Sequence, residues 1–210
     1  LQDVAMGYGG DVSRFVERKR VVKDKDIGPL VATEMTRCIH CTRCVRFGEE
    51  IAGLREMGAT GRGENTEIGT YVRKSLASEL SGNIIDLCPV GALTSKPYAF
   101  EARPWELKKT AGIDVMDAVG TNVRFDSRGR QVLRVVPRIN EDVNEEWASD
   151  KTRHAVDGMV RRRLDKPYVR KAGKLVPASW EEAFAAIKAV KAGSSVAAVA
   201  GDQLDCETMY

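Results

Sequence analysis

Cys38, Cys41 and Cys44 stand at two consecutive C-x-x-C intervals in the stretch RCIHCTRC. Thiolate is the preferred ligand of soft, electron-rich iron–sulfur cores and also of zinc. Two residues between cysteines let one tight turn aim both sulfurs at a common centre. A third cysteine at the same interval wraps the loop around a cubane, corner by corner. Zinc sites more often use two separate C-x-x-C pairs, so the overlapping run favours a [4Fe-4S] cluster, with a structural zinc site as the alternative. The fourth ligand is expected at Cys88, because Pro89 gives it the Cys-Pro signature of the last ferredoxin cysteine. Proline there removes a backbone donor and fixes the turn that presents the thiolate. The gap from Cys44 to Cys88 is much longer than in a small ferredoxin.

Four thiolates leave such a core net negative, so nearby cations matter. Arg37, Arg43 and Arg46 lie within the loop itself. Facing the cluster, they would favour its reduced state and raise the potential; the alternative is that they are solvated. His40 sits between two cysteines, but with four thiols available it is surplus as a ligand and is expected to pack or hydrogen-bond. His154, in a polar stretch, reads as a surface or hydrogen-bonding histidine, and the isolated Cys206 as a small buried thiol. The glycine-rich GATGRGENTEIG does not give G-x-G-x-x-G, since Thr66 occupies the last required place. No Walker loop, H-E-x-x-H or nucleophile elbow occurs, and no general-base constellation for bond breaking is visible. The chemistry legible here is electron transfer.

The elements that must position these thiols come next. The chain has 210 residues, 43% hydrophobic and 30% charged, with a net charge of +3 from 33 basic and 30 acidic residues. That balance suits a globular protein, and the scattered charges give no nucleic-acid stripe. Apolar runs such as Val196 to Ala200 are far too short to cross a bilayer, so membrane association is expected only through a partner. Five cysteines, three of them within seven residues, point to metal or redox chemistry rather than a disulfide framework. No signal-peptide pattern is found. Residues 1–95 read as loop-rich, with short helices expected over 45–52, closed by Gly53, and over about 71–79. From about 112 to 137 strands are expected, with Ile113 and Val115 alternating and a hairpin bending at Gly129 between TNVRF and QVLRVV. A small hairpin is expected around KAGK. Ser179 and Glu182 then form a capping box that opens a helix ending at Gly193, and the apolar SSVAAVAG reads as a buried strand of an α/β domain.

Taken together, MTRCIHCTRCVRF, SELSGNIIDLCPVGALTSKPYAFEARPWE and IDVMDAVGTNVRFDSRGRQVLRVVPRINEDVNEEWASDKTR resemble one family over essentially the whole chain. It is the large iron–sulfur subunit of respiratory complex I, the NADH:quinone oxidoreductase. The resemblance implies that Cys38, Cys41, Cys44 and Cys88 ligate one [4Fe-4S] cluster in a relay from flavin towards quinone. It further implies [2Fe-2S] and [4Fe-4S] clusters in an upstream part, so that Leu1 looks like a cut boundary. The fold class implied is α+β. Residues 1–95 would be a ferredoxin-like cluster domain, 96–172 a small mostly-β domain resembling the N-terminal domain of molybdopterin oxidoreductases, and 173–210 the start of an α/β domain. The small domain normally binds its own cluster through a final Cys-x-Lys-Gly-Arg, but here the sequence reads Ser149-Asp150-Lys151-Thr152-Arg153. Serine and aspartate are poor iron–sulfur ligands, so that site is expected to be empty, as in the mitochondrial or closely related bacterial form. Implied partners are the flavin-carrying and quinone-side iron–sulfur subunits of the peripheral arm. The implied location is the matrix side of the mitochondrial inner membrane or the cytoplasmic face of a bacterial one. The chain would be part of an enzyme without a substrate site of its own. A fragment of a formate dehydrogenase or of an NAD-linked hydrogenase is the alternative.

Overall fold

The computed structural model describes the chain except residues 1, 11, 72–73, 117, 160, 162, 192–194, 196, 198, 202–203, 205–206 and 208–210. It is a mixed α/β structure of short helices and small antiparallel sheets that forms two compact units. One comprises Leu1–Asp114 and Val119–His154, the other Val115–Ala118 and Ala155–Tyr210. Among the described residues no helix is long and apolar enough to cross a membrane.

In the first unit, helix α1 (Gln2–Tyr8) is followed by a loop that leads to strand β1 (Val31–Thr33). β1 pairs antiparallel with β4 (Leu93–Ser95), matching Val31 to Ser95 and Thr33 to Leu93. Between them lie α2 (Arg43–Arg46), which runs on into a π-type turn over Phe47–Ile51, and the hairpin of β2 (Met57–Thr60) with β3 (Glu67–Thr70). Gly53 follows that turn at φ +70°, the left-handed conformation in which a helix end favours glycine, so the helix expected over 45–52 is present, with its second half widened. Val22, Ile27, Val31, Met35, Phe47, Ile68, Ile84 and Leu93 form the core, which these small elements share.

The helix expected over 71–79 is absent from the described residues 74–78. There the backbone is tied to other segments: the Leu76 amide donates to the Ile27 carbonyl at 2.8 Å and the Ala77 amide to the Glu56 carboxylate at 3.0 Å. Long-range partners for the amides, together with the packing of Leu76 on the core, override the local pattern. The helix forms later instead, as α3 (Asn83–Leu87).

A three-stranded sheet follows, β5 (Lys108–Ile113), β6 (Asn122–Arg128) and β7 (Gln131–Pro137), in that order. The β6–β7 hairpin bends at Gly129, as expected. The first strand departs from expectation: it starts at Lys108 and stops at Ile113, and Ile113 and Val115 are exposed. KKTAGI has no apolar alternation, and backbone pairing with β6 alone defines it as a strand. Val123 and Val135 are buried, and Asp126, paired with Arg134 across the ladder, stands next to a register shift between Asp126 and Ser127. Fully buried, Asp126 accepts from Arg124 Nε at 2.8 Å and from Arg134 Nε at 2.7 Å. Burial pushes the carboxyl pKa up, but the two guanidinium groups more than reverse it and hold it below the usual value of 3.8. Helix α4 (Asp150–His154) closes the unit, with His154 half-buried at its end.

The second unit contains the hairpin of β8 (Tyr168–Lys171) with β9 (Lys174–Pro177) and helix α5 (Trp180–Lys191). The expected turn at Ala172-Gly173 and the capping box are both present. The Glu182 amide donates to Ser179 Oγ at 3.2 Å, and the Ser179 amide donates to the Glu182 carboxylate at 3.3 Å. The apolar run expected as a buried strand is not one at its described residues: 195, 197 and 199–201 lie in no strand and are exposed, while residues 194, 196 and 198, the helix end at Gly193 and Cys206 lie outside the described residues.

Candidate metal centre

Two segments distant in sequence supply the four thiols, and the β1–β4 ladder brings them together. Thr33 faces Leu93. The chain reaches Cys38 five residues after Thr33, and Cys88 stands five residues before Leu93. A further bond from the Glu34 amide to the Ala92 carbonyl, at 2.8 Å, extends this stitch towards the cysteines.

Cys38 closes a 3₁₀ turn (Met35–Arg37), donating its amide to the Met35 carbonyl at 3.1 Å. The loop then reverses twice through left-handed residues, His40 at φ 54° and Thr42 at φ 61°. For residues other than glycine this conformation costs roughly 1–2 kcal/mol each, and such outliers cluster at ligand clamps. Thr42 is the N-cap of α2, which holds Cys44 in its first turn. Cys88 caps the C-terminus of α3, its amide bonded to the Ile84 carbonyl at 3.1 Å. Cys38, Cys44 and Cys88 are half-buried against the core, whereas Cys41 is exposed.

The thiols lie within electrostatic reach of one another. Burial first, and then the charge of Cys38, push the Cys44 pKa up to about 11; the Val45 amide partly opposes this, and Cys88 and Cys41 add to it. A neutral thiol in that position becomes a thiolate when a metal displaces its proton. Among the described residues no three His, Cys, Asp or Glu side chains are gathered closely enough to hold one metal ion. A single zinc draws every sulfur to about 2.3 Å from one point, whereas a cubane offers each thiolate its own iron corner. Four soft donors, converging on the core edge from two stitched segments, fit the larger group.

Of the three nearby arginines, Arg43 and Arg46 are exposed. Arg37 is half-buried and pairs through Nε with Glu34 at 2.9 Å. Its Nη1 also approaches Gly91, three residues beyond Cys88, to 3.8 Å of where a Cβ would stand. His40 turns Nε2 towards Arg20 Nη1 at 3.5 Å, and Arg20 donates to the Thr66 carbonyl at 2.7 Å. Sequence reasoning missed Glu34, and it missed Asn83, Asp150 and Arg153, which are bonded around α3. No motif marks them, because their partners are distant in the chain.

Three family models match in succession. Residues 28–94, which include all four cysteines, match the ferredoxin-like domain of NADH-quinone oxidoreductase subunit 3. Residues 107–157 match the 4Fe-4S domain of the NADH-ubiquinone oxidoreductase NDSU1/NuoG-like family, and residues 163–210 match molybdopterin oxidoreductase. The second match contains no cysteine, so its residues do not fit an iron–sulfur cluster. Curated relatives match the whole chain. The mitochondrial NADH-ubiquinone oxidoreductase 78 kDa subunit of Neurospora crassa is 56% identical, with 29% of its length covered. The G subunit of the NADH-quinone oxidoreductase of Rickettsia felis is 57% identical, with 32% covered, and the 75 kDa subunit of Reclinomonas americana 55%, with 31% covered. The chain thus spans about a third of the length of these relatives. A crystal structure of an NAD+-reducing [NiFe]-hydrogenase is similar over 49% of this chain and 45% of its own, at 24% identity and a TM-score of 0.40, too slight a likeness to build on. With more than half of its residues shared across its full length, the chain belongs to the family formed by the NADH-quinone oxidoreductase G subunits and the 75 kDa and mitochondrial 78 kDa subunits of NADH-ubiquinone oxidoreductase.

Proposed function

We propose that the chain is an electron-relay segment of complex I, in which Cys38, Cys41, Cys44 and Cys88 hold one [4Fe-4S] cluster. The observation that carries this reading is the convergence of the three closely spaced thiols with the Cys-Pro thiol across the β1–β4 ladder. When bound, the cluster supplies one-electron redox chemistry. The protein's part is to anchor it through four covalent ligands, keep the Cys38, Cys44 and Cys88 side away from water against the core, and leave the Cys41 side open. Rigid anchoring limits reorganisation on reduction, which a relay needs, and no substrate pocket is required. The chain is part of an NADH:quinone oxidoreductase without a substrate site of its own.

In this reading residues 1–95 are the ferredoxin-like cluster domain, 96–172 a small mostly-β domain that has lost its cluster, and 173–210 the opening of a molybdopterin-type α/β domain. Its partners are the flavin-carrying and quinone-side iron–sulfur subunits, between which it passes single electrons. It meets the membrane only through the complex, on the matrix side in mitochondria or the cytoplasmic side in bacteria. The mitochondrial and rickettsial relatives support both settings. Anaerobic preparation of the 210-residue chain, followed by analysis for iron, acid-labile sulfide and zinc, tests the assignment. About four iron and four sulfide per chain are expected, one cubane's content. Zinc without sulfide would overturn the cluster, and about eight iron, two cubanes' content, would overturn the empty second site.

A further inference from the structure

Residues 147–153 lie near the end of the segment that matches a 4Fe-4S domain model yet has no cysteine. Instead of a metal, this stretch grips the elements that present Cys44 and Cys88. The Asp150 carboxylate accepts from Ser81 Oγ and from the Gly82 amide, each at 2.6 Å, and the Asp150 amide donates to the Glu79 carbonyl at 2.7 Å. Gly82 is the N-cap residue of α3 and has no side chain with which to cap it. Asp150 satisfies its otherwise orphaned amide and sets a negative charge at the positive end of the short helix. A side chain at Gly82 would force the Asp150 and Arg153 side chains to shift, since its Cβ would stand 2.7 Å from both Asp150 Oδ1 and Arg153 Cδ.

The next residue is held equally firmly. Asn83 is buried and exchanges bonds with the backbone of Ala148, donating at 2.9 Å and accepting at 3.1 Å. Buried Arg153 donates through Nη2 to Asn83 Oδ1 at 2.6 Å and pairs with Asp86 at 2.7 Å, while its Nε makes no hydrogen bond. Keeping an arginine buried with one donor unused is costly, which makes those two bonds its reason to be there. On the other side, Trp147 packs on Phe47, with ring centroids 4.9 Å apart, three residues beyond Cys44.

We propose that residues 147–153 are a positioning brace for the cluster, with Asp150 and Arg153 fixing α3 and hence the direction of the Cys88 thiol. The brace rests on the reading that Cys88 is a ligand. The test uses the full-length subunit within the assembled complex, and reads the EPR g-values of the reduced cluster together with the rate of iron loss to a chelator. Asp150→Ala is expected to shift the g-values and to speed iron loss about tenfold, the scale seen when a group that orients a metal ligand is removed. Asp150→Asn keeps an acceptor for the Gly82 amide and is expected to restore most of both. Asp126→Asn, at a carboxylate more deeply buried but bonded to Arg124 and Arg134 instead, should lower stability and leave the spectrum unchanged. Should Asp150→Ala fail to accumulate, Ser81→Ala removes one of the Asp150 bonds and is expected to shift the spectrum in the same direction by less. Unchanged g-values and iron loss in Asp150→Ala or Ser81→Ala would overturn the brace, as would an equal shift in Asp126→Asn. A Cys88→Ala variant with the wild-type spectrum would overturn the ligand reading itself, so the two failures are distinguishable.

Discussion

Cys44 shows what a single side chain contributes before any metal arrives. Burial and the neighbouring sulfurs keep its thiol neutral, so the site gathers donors without gathering four negative charges. Glu34 and Arg37 form an ion pair whose arginine is next in sequence to the proposed ligand Cys38. Glu34→Gln leaves the guanidinium uncompensated and should raise the midpoint potential; Arg37→Gln leaves the carboxylate and should lower it. For a partly exposed pair, shifts of roughly tens of millivolts are expected in an EPR-monitored redox titration, nearly cancelling in the double variant. Shifts of the same sign in both single variants would show that this charge does not act on the cluster. The four candidate cysteines stand out by spacing and proline alone. Asn83, Asp150 and Arg153 do not, because their bonds reach partners 65 to 70 residues away and nothing local announces them.

Among the elements, the legible ones carry their own punctuation. The β6–β7 and β8–β9 hairpins have glycine turns, and α5 opens on Ser179 with Glu182 three residues on. Ser179→Ala is expected to cost about 1 kcal/mol of the stability of that unit, measurable by denaturant unfolding. The elements misread lack such marks: β5 is polar and exists through pairing with β6, and Leu76 and Ala77 give their amides to Ile27 and Glu56 instead of to a helix. The three-stranded sheet also hides a buried ion pair that strand alternation did not suggest. Asp126→Asn leaves two guanidinium groups short of a counter-charge. Since both are about a quarter to a third exposed, the expected loss is about 2–3 kcal/mol rather than the larger value for a sealed pair. Because the folded protein holds this carboxyl below 3.8, an unfolded chain takes up the proton first. Its stabilisation is therefore complete above that value and disappears as pH falls through the lowered folded value. An acid-unfolding profile that Asp126→Asn leaves unmoved would contradict this role.

At the scale of the molecule, the chain divides its labour unevenly. Its first unit holds all four of the clustered and proline-marked thiols, wired by residues 147–153 to a segment that matches an iron–sulfur domain but has no sulfur ligand of the cysteine type. Buried Thr152 and Arg153 of that segment, with Asn83 of α3, form a polar scaffold. Thr152 donates to Asp114 at 2.6 Å in that interior, a bond between chemically ordinary residues that only the folded chain reveals. The central claim remains that four thiolates, three adjacent in sequence and one distant, enclose one iron–sulfur cube. EPR of the dithionite-reduced protein, with and without Cys88→Ala, tests it most directly. The account predicts one S = 1/2 [4Fe-4S] signal from this site, lost in the variant. An unchanged signal after that substitution, or its absence from wild-type protein that holds a lone zinc ion, would contradict it.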